Sequence, residues 1–188
     1  MTRGSGAGAA GGAGQPERLV SSKRMFEGRL VQVHVDTVAL PDGRLATREV
    51  VDHKPAVVII PFDDEGNVVL VRQYRHAVGK ALLEAPAGGI EPEEDPDACA
   101  QRELQEETGF HAGELRKLGS FWTAPGVFTE YMHAYLARRL RRSKLEADPD
   151  EVIAVERVPV SRLEGLVRDG AIQDAKTIAA LYMALHVK

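Results

Sequence analysis

Three glutamates, Glu103, Glu106 and Glu107, fall within five residues of one another in a segment whose ends are marked as those of a helix. Asp95 followed by Pro96 is an N-cap and first-turn pair, and Gly109 stands where a helix is closed by a left-handed glycine. With about 100° of rotation per residue, the three carboxylates occupy one arc of about 100° on a single helix face. Like charges so placed repel. Arg102 offsets part of that repulsion by an i,i+4 contact with Glu106, and a divalent cation would offset more. Carboxylate oxygens suit Mg²⁺, with Mn²⁺ as a substitute, rather than zinc, and no His or Cys cluster competes for the role. A solvated acidic face is the plainer reading of such a run taken alone.

The rest of the chain supplies the scaffold. Alternation from about Gly28 to Leu40 predicts a strand, Pro41-Asp42-Gly43 a turn, and Leu45 to Val51 the returning strand. Ala56 to Pro61 is a β-branched run of the kind buried on both faces, and Val68 to Tyr74 reads as another strand. Pro86, Gly88, Gly89 and Pro92 predict an irregular loop. Later strands are expected near Leu115 to Trp122, Tyr131 to Ala137 and Val152 to Val158. Ser161 and Glu164 read as a capping box for a short helix. Asp174 reads as the cap of a last helix that buries Ile178, Leu181, Tyr182 and Leu185. This order predicts an α+β or layered α/β/α fold. Three regions are expected: a disordered Gly/Ala-rich tail over 1–16, a β-strand region over 17–54, and a domain over 55–188 that holds the acidic helix.

The acidic helix belongs to a longer pattern. Gly88, Glu94, Arg102-Glu103-Leu104, Glu106-Glu107 and Gly109-Phe110 match every position of G-x5-E-x7-R-E-U-x-E-E-x-G-U, where U is bulky and apolar. A chance match is on the order of one in a billion per starting point. The pattern, spanning 88–110, resembles the signature box of the Nudix hydrolases. The resemblance implies an α/β/α sandwich around a mixed sheet, with an N-terminal antiparallel strand region. It implies that Glu103, Glu106 and Glu107 bind metal ions, Mg²⁺ or else Mn²⁺, with the Ala87 carbonyl as a further ligand. Glu103 and Glu107 are thereby catalytic, and Gly88, Glu94 and Arg102 brace the box. The implied reaction is attack of water on a phosphorus of a P–O–P linkage.

Features outside the box resemble the ADP-ribose pyrophosphatase branch. Pro125 lies sixteen residues after Gly109 in Thr123-Ala124-Pro125-Gly126, with Ala124 where that branch commonly has serine, and Glu130 follows. Thr47-Arg48-Glu49-Val50-Val51-Asp52-His53 and Val71-Arg72-Gln73-Tyr74-Arg75 resemble two further motifs of the branch. They imply substrate contacts at Arg48, Glu49, Arg75, Pro125, Gly126 and Glu130, with Arg75 on the diphosphate or terminal ribose. The acidic stretch Asp148-Pro149-Asp150-Glu151 corresponds to a loop that carries a general base. Glu151 is the first choice, with Asp150 and Glu130 as alternatives. The expected reaction is hydrolysis of ADP-ribose to AMP and ribose 5-phosphate. Another sugar nucleotide such as GDP-mannose, a broader nucleoside diphosphate range, or a non-catalytic ADP-ribose sensor are the rivals. A homodimer is also implied.

Composition narrows the setting. Net charge is −4, which disfavours duplex nucleic acid as a partner. The apolar runs are too short to span a membrane. Cys99 is the only cysteine, so no internal disulfide can form, in keeping with a cytoplasmic protein. It has no histidine partner nearby in sequence and is not expected to be a nucleophile. Trp122, beside Phe121, is expected in the core, and Arg138 to Arg142 as a solvated strand exit.

Overall fold

A computed structural model describes residues 14–143, 145–146 and 152–186. Nearly all of the expected tail, and Asp148, Asp150 and Glu151, lie outside the described residues. The chain divides into two compact units, one covering residues up to His53 with Ala124–Thr129, the other covering Lys54–Thr123 and the residues from Glu130.

The first unit is an antiparallel meander of β1 (Arg18–Glu27), β2 (Gln32–Ala39) and β3 (Leu45–Asp52). The turn between β2 and β3 forms as expected, with Gly43 at φ 86° and the Leu40 amide donating to the Arg44 carbonyl. The inserted Ala124–Thr129 segment is tied to the end of β3. The Val51 amide donates to the Val127 carbonyl at 2.7 Å, and the Thr129 amide donates to the Val51 carbonyl at 3.0 Å. β1 lies within the strand region expected over 17–54, but alternation does not mark its bounds: its apolar residues come in adjacent pairs, Leu19-Val20 and Met25-Phe26, and every residue of the strand is exposed.

The second unit is built on β4 (Ala56–Pro61), buried at all six positions. It is central in a mixed sheet of order β7-β4-β9-β8, where β7 is Ala87–Gly89, β8 is Phe110–Trp122 and β9 is Tyr131–Arg142. β4 runs parallel to β9 and antiparallel to β7. Side chains alternate between its faces. Val57 and Ile59 join a cluster with Cys99, Ala100 and Leu104 of helix α1 (Pro96–Thr108). Val58 and Ile60 join another with Leu70 of β5 (Asn67–Arg75), Leu83 of β6 (Lys80–Glu84), Val158 of β10 (Ile153–Pro159), Leu163 of α2 (Val160–Arg168) and Leu181 of α3 (Ala175–His186). β10, β5 and β6 form a second, antiparallel sheet. Each such aliphatic side chain contributes about 1.5–3 kcal/mol by leaving water, which is why an uninterrupted apolar run can sit at the centre. The fold is α+β around a mixed sheet, as expected.

Several local expectations are corrected. Ala87–Gly89 is a short strand rather than loop, because it finds the edge of β4. β8 and β9 pair from Phe110↔Arg142 to Trp122↔Tyr131, well beyond their apolar stretches, so that Arg138 to Arg142 lie within a strand. Ser161 and Glu164 do not form a capping box: α2 starts after Pro159 with no side-chain cap. The buried positions of α3 are Thr177, Ala180 and Leu181, while Tyr182 is 63% exposed and Leu185 is also exposed, because the helix packs through its small residues. Trp122 is exposed at the end of β8, its ring 4.7 Å from that of Tyr131, and is not core.

Candidate active site

Helix α1 begins as its sequence dictates, with the Asp95 side chain accepting from the Asp97 amide, Pro96 in the first turn, and Gly109 closing it at φ 74°. One face packs Cys99, Ala100 and Leu104 onto β4 and leaves the carboxylates to one side. Glu103 and Glu107 are nonetheless buried. The Ala87 amide donates to Glu107 Oε2 at 3.1 Å. A Cβ on Gly88 would stand 2.0 Å from the Glu103 carboxylate, so that carboxylate occupies the space a side chain would fill. Two of the three glutamates are thus held against the Ala87–Gly88 backbone.

Arg102 organises the rest. Its Nε and Nη2 donate to the two Glu94 oxygens at 2.8 and 2.9 Å, and its Nη1 donates to Glu103 at 2.6 Å and Glu106 at 3.0 Å. Nη2 also reaches the Gly89 carbonyl at 3.3 Å. The Arg102 hydrogen bonds hold the Glu94 carboxyl down to about 2, and Glu94 in turn raises the guanidinium further above its usual range. Among the described residues no three acidic, histidine or cysteine side chains are drawn together into cation-ligand spacing; the Arg102 guanidinium, spanning Glu103 and Glu106, balances their charge. The donor set still fits a hard divalent cation: carboxylate oxygens from one helix face, largely screened from water, beside a strand whose Gly88 leaves room for the Glu103 carboxylate. Cys99 is buried, which pushes its thiol up to about 12 and leaves it unreactive.

Arg75, at the end of β5, donates from Nε and Nη2 to Glu84 at 2.9 and 2.8 Å. Glu84 is 1% exposed and also receives Lys176 Nζ from α3. Burial alone would push the Glu84 carboxyl up; the Arg75 hydrogen bonds and the Lys176 charge more than reverse it. Lys176 pairs with Asp174 at 3.0 Å, Asp174 caps α3 through the Thr177 amide at 2.9 Å, and Thr177 Oγ1 accepts from the Ala85 amide at 2.8 Å. The start of α3 therefore grips the two residues that precede Pro86 and β7. Sequence reasoning found Arg75 and Asp174 but missed Glu84 and Lys176; a lone glutamate ending an apolar strand was the only available signal.

The remaining expected substrate contacts fall as follows. Arg48 and Glu49 are adjacent on β3 and so face opposite sides of the meander, Arg48 paired across to Asp36 and Glu49 to Val35. Arg48 donates to Glu17 from Nε at 3.1 Å. Pro125 and Gly126 lie in the segment tied to β3. Glu130 directly precedes β9, and its carbonyl accepts from the Thr123 amide at 3.3 Å.

The family model described as the NUDIX domain matches residues 52–181, and one described as the nucleoside diphosphate sugar hydrolase N-terminal domain matches 17–51. The chain belongs to the Nudix family. It is 36% identical over 167 residues to the ADP-ribose pyrophosphatase of Bacillus subtilis (strain 168), covering 88% of this chain and 90% of that protein. It is 38% identical over 173 residues to a methanol dehydrogenase activator of Bacillus methanolicus, covering 90% and 94%. The crystal structure of an ADP compounds hydrolase superposes with a TM-score of 0.83 at 27% identity, over 90% of this chain and 92% of that one. Nudix hydrolases generally act with a divalent metal. None of the helices described is long and apolar enough to cross a membrane.

Proposed function

We propose that this Nudix protein hydrolyses the pyrophosphate bond of ADP-ribose to AMP and ribose 5-phosphate with Mg²⁺. The single observation that carries the reaction class is the seating of Glu103 and Glu107 against Ala87–Gly88, with Arg102 fixing Glu103 and Glu106. The substrate rests on the likeness to the B. subtilis ADP-ribose pyrophosphatase over nearly the whole of both chains.

Glu103, Glu106, Glu107 and the Ala87 carbonyl would hold Mg²⁺, or Mn²⁺ in its place, which when bound neutralises diphosphate charge and acidifies water. Arg75 then serves as a rigid guanidinium: Glu84 holds its Nε–Nη2 edge and leaves Nη1 for an anionic oxygen. Glu94 and Arg102 keep the carboxylates from rotating away. The base that takes the proton of the attacking water is assigned to Glu151, with Asp150 and Glu130 as the alternatives. Arg48, Glu49, Pro125, Gly126 and Glu130 are assigned to the nucleoside and sugar. Because Arg48 and Glu49 diverge from one strand, they serve different parts of a substrate or different subunits.

We assign a homodimer, supported by the exposed apolar side chains of β1, Leu19, Met25 and Phe26, each 56% exposed. A cytoplasmic setting is supported by the lone, buried, unreactive thiol. The test is a panel of ADP-ribose, ADP-glucose, GDP-mannose and nucleoside triphosphates, with Mg²⁺ and with EDTA, and products identified. AMP and ribose 5-phosphate from ADP-ribose, abolished by EDTA, are expected. Preference for GDP-mannose replaces the substrate assignment, and no turnover of any member refutes the hydrolase reading.

A further inference from the structure

Gln73 is nine-tenths buried, yet its side-chain carbonyl oxygen has no hydrogen-bond partner; among the described residues only Thr123 Oγ1 shares that state. A buried acceptor without a donor destabilises the fold, and natural chains keep few of them. Leucine or methionine would fill the same place without the polar atom, so the amide calls for a role outside folding.

Its position supplies one. Residues two apart on a strand share a face, so Gln73 stands beside Arg75 and Val71. The register places Gln73 opposite Leu82 of β6 and Ile153 of β10, and Val71 opposite Glu84 and Val155. Gln73 therefore shares its face with the Arg75–Glu84 pair on one side and with Val155 on the other. Val155 lines an open cleft of about 560 Å³ together with Gly109, Phe110, Arg142, Ser143 and Arg157, at the carboxyl end of α1. That volume suits a small-molecule ligand. The unpartnered amide thus lies between the guanidinium assigned to the diphosphate and a cleft beside the carboxylate helix.

We infer that Gln73 is a substrate-contacting residue whose amide oxygen accepts a hydrogen bond from an O–H donor that is present only in the bound complex. The inference rests on the hydrolysis proposed above. The donor is either a sugar hydroxyl of the nucleoside diphosphate sugar or the water that attacks it.

The test is Gln73→Met, which keeps the length and removes the amide, with Gln73→Leu as a second variant. Thermal unfolding without ligand is expected to be equal to or above wild type, because no bond within the chain is lost. For the diphosphate that wild type turns over best, kcat/KM should fall about 3- to 10-fold, the weight of one hydrogen bond. A sugar hydroxyl as donor makes the loss differ between ADP-ribose and ADP-glucose and appear in KM. Water as donor lowers kcat alike for every substrate and leaves KM unchanged. Wild-type kcat and KM in both variants, or loss of the fold in both, overturns the inference. Thermal stabilisation by ADP-ribose is measured alongside. Wild type that binds but turns over nothing refutes the hydrolase reading alone, and weaker stabilisation of Gln73→Met then still supports the contact. Wild type that neither binds nor turns over any compound overturns both.

Discussion

Arg102 joins Glu94 to the acidic face of its own helix, with two hydrogen bonds of 2.8 and 2.9 Å to Glu94 and one of 3.0 Å to Glu106. The box loop and the helix are thereby clamped by one planar group. A lysine carries the same charge but cannot span three carboxylates from one position. Arg102→Lys is expected to lose about 1–3 kcal/mol of stability. Urea denaturation checks this, and the variant should also need more Mg²⁺ for half-maximal activity.

The same clamp sets a pH dependence. The Glu94 carboxyl is lowered from its ordinary 4.5 to about 2 by the Arg102 hydrogen bonds. A carboxyl depressed in the folded state contributes stability that is complete above its unfolded value and is lost as pH falls through the folded one. Wild type should therefore exceed Glu94→Gln in stability by a constant margin above about pH 5, and the margin should shrink between pH 4.5 and about 2. Denaturation midpoints of the two proteins across that range decide it; a margin independent of pH would show that Glu94 acts only by shape.

These relationships were unequally legible in the sequence. The bounds of α1 could be read because Asp95, Pro96 and Gly109 act locally, and the run of β4 because double burial requires every residue to be apolar. The i,i+4 contact between Arg102 and Glu106 follows from helix geometry alone. Glu84 and Lys176, 92 residues apart, become partners only when α3 docks, and no periodicity reports that. The bounds of β1, inside the expected strand region, were not legible because an exposed strand has no buried face to impose alternation. The expected burial of Tyr182 failed for the opposite reason: helical spacing identifies a face, but packing selected the smaller residues Thr177 and Ala180.

Gly88 separates folding from function. Its φ is not in the left-handed region, so the backbone accepts alanine. The new methyl would meet the Glu103 carboxylate at 2.0 Å, and that carboxylate is the far end of a side chain that can rotate away. Because that rotation breaks the Arg102–Glu103 hydrogen bond, Gly88→Ala should cost about 1.5–3 kcal/mol in urea denaturation without abolishing the fold. Moving the carboxylate should weaken metal-dependent activity about 10- to 100-fold, read by titrating Mg²⁺. A large stability loss with normal Mg²⁺ response would mean that Glu103 is fixed for packing rather than for metal.

Glu84→Gln tests the ion cluster just before β7. Arg75 and Lys176 would face one another with their shared anion removed at a site 1% exposed. Arg75 is partly solvated and Lys176 keeps Asp174, so the loss is about 1–3 kcal/mol, measurable as a lowered denaturation midpoint. Arg75 would also lose the partner that fixes its orientation, so KM should rise more than kcat falls. Unchanged KM in the folded fraction would confine Glu84 to stability.

Glu107→Gln and Glu151→Gln should fail in different ways. Glu107 accepts from the Ala87 amide, and a glutamine oxygen can still accept that bond, so the fold is expected to persist. The neutral amide is a poor ligand for a hard cation, and turnover should fall at least about 100-fold, with added Mg²⁺ restoring little. Glu151, as the proposed base, has no part in holding the cation. Its glutamine variant should keep the wild-type Mg²⁺ response and lose kcat more than it raises KM. Single-turnover assays over a Mg²⁺ series compare the two. A Glu151→Gln enzyme altered only in KM moves the base to Asp150 or Glu130, and a Glu107→Gln enzyme with wild-type rates would remove the acidic helix from the chemistry.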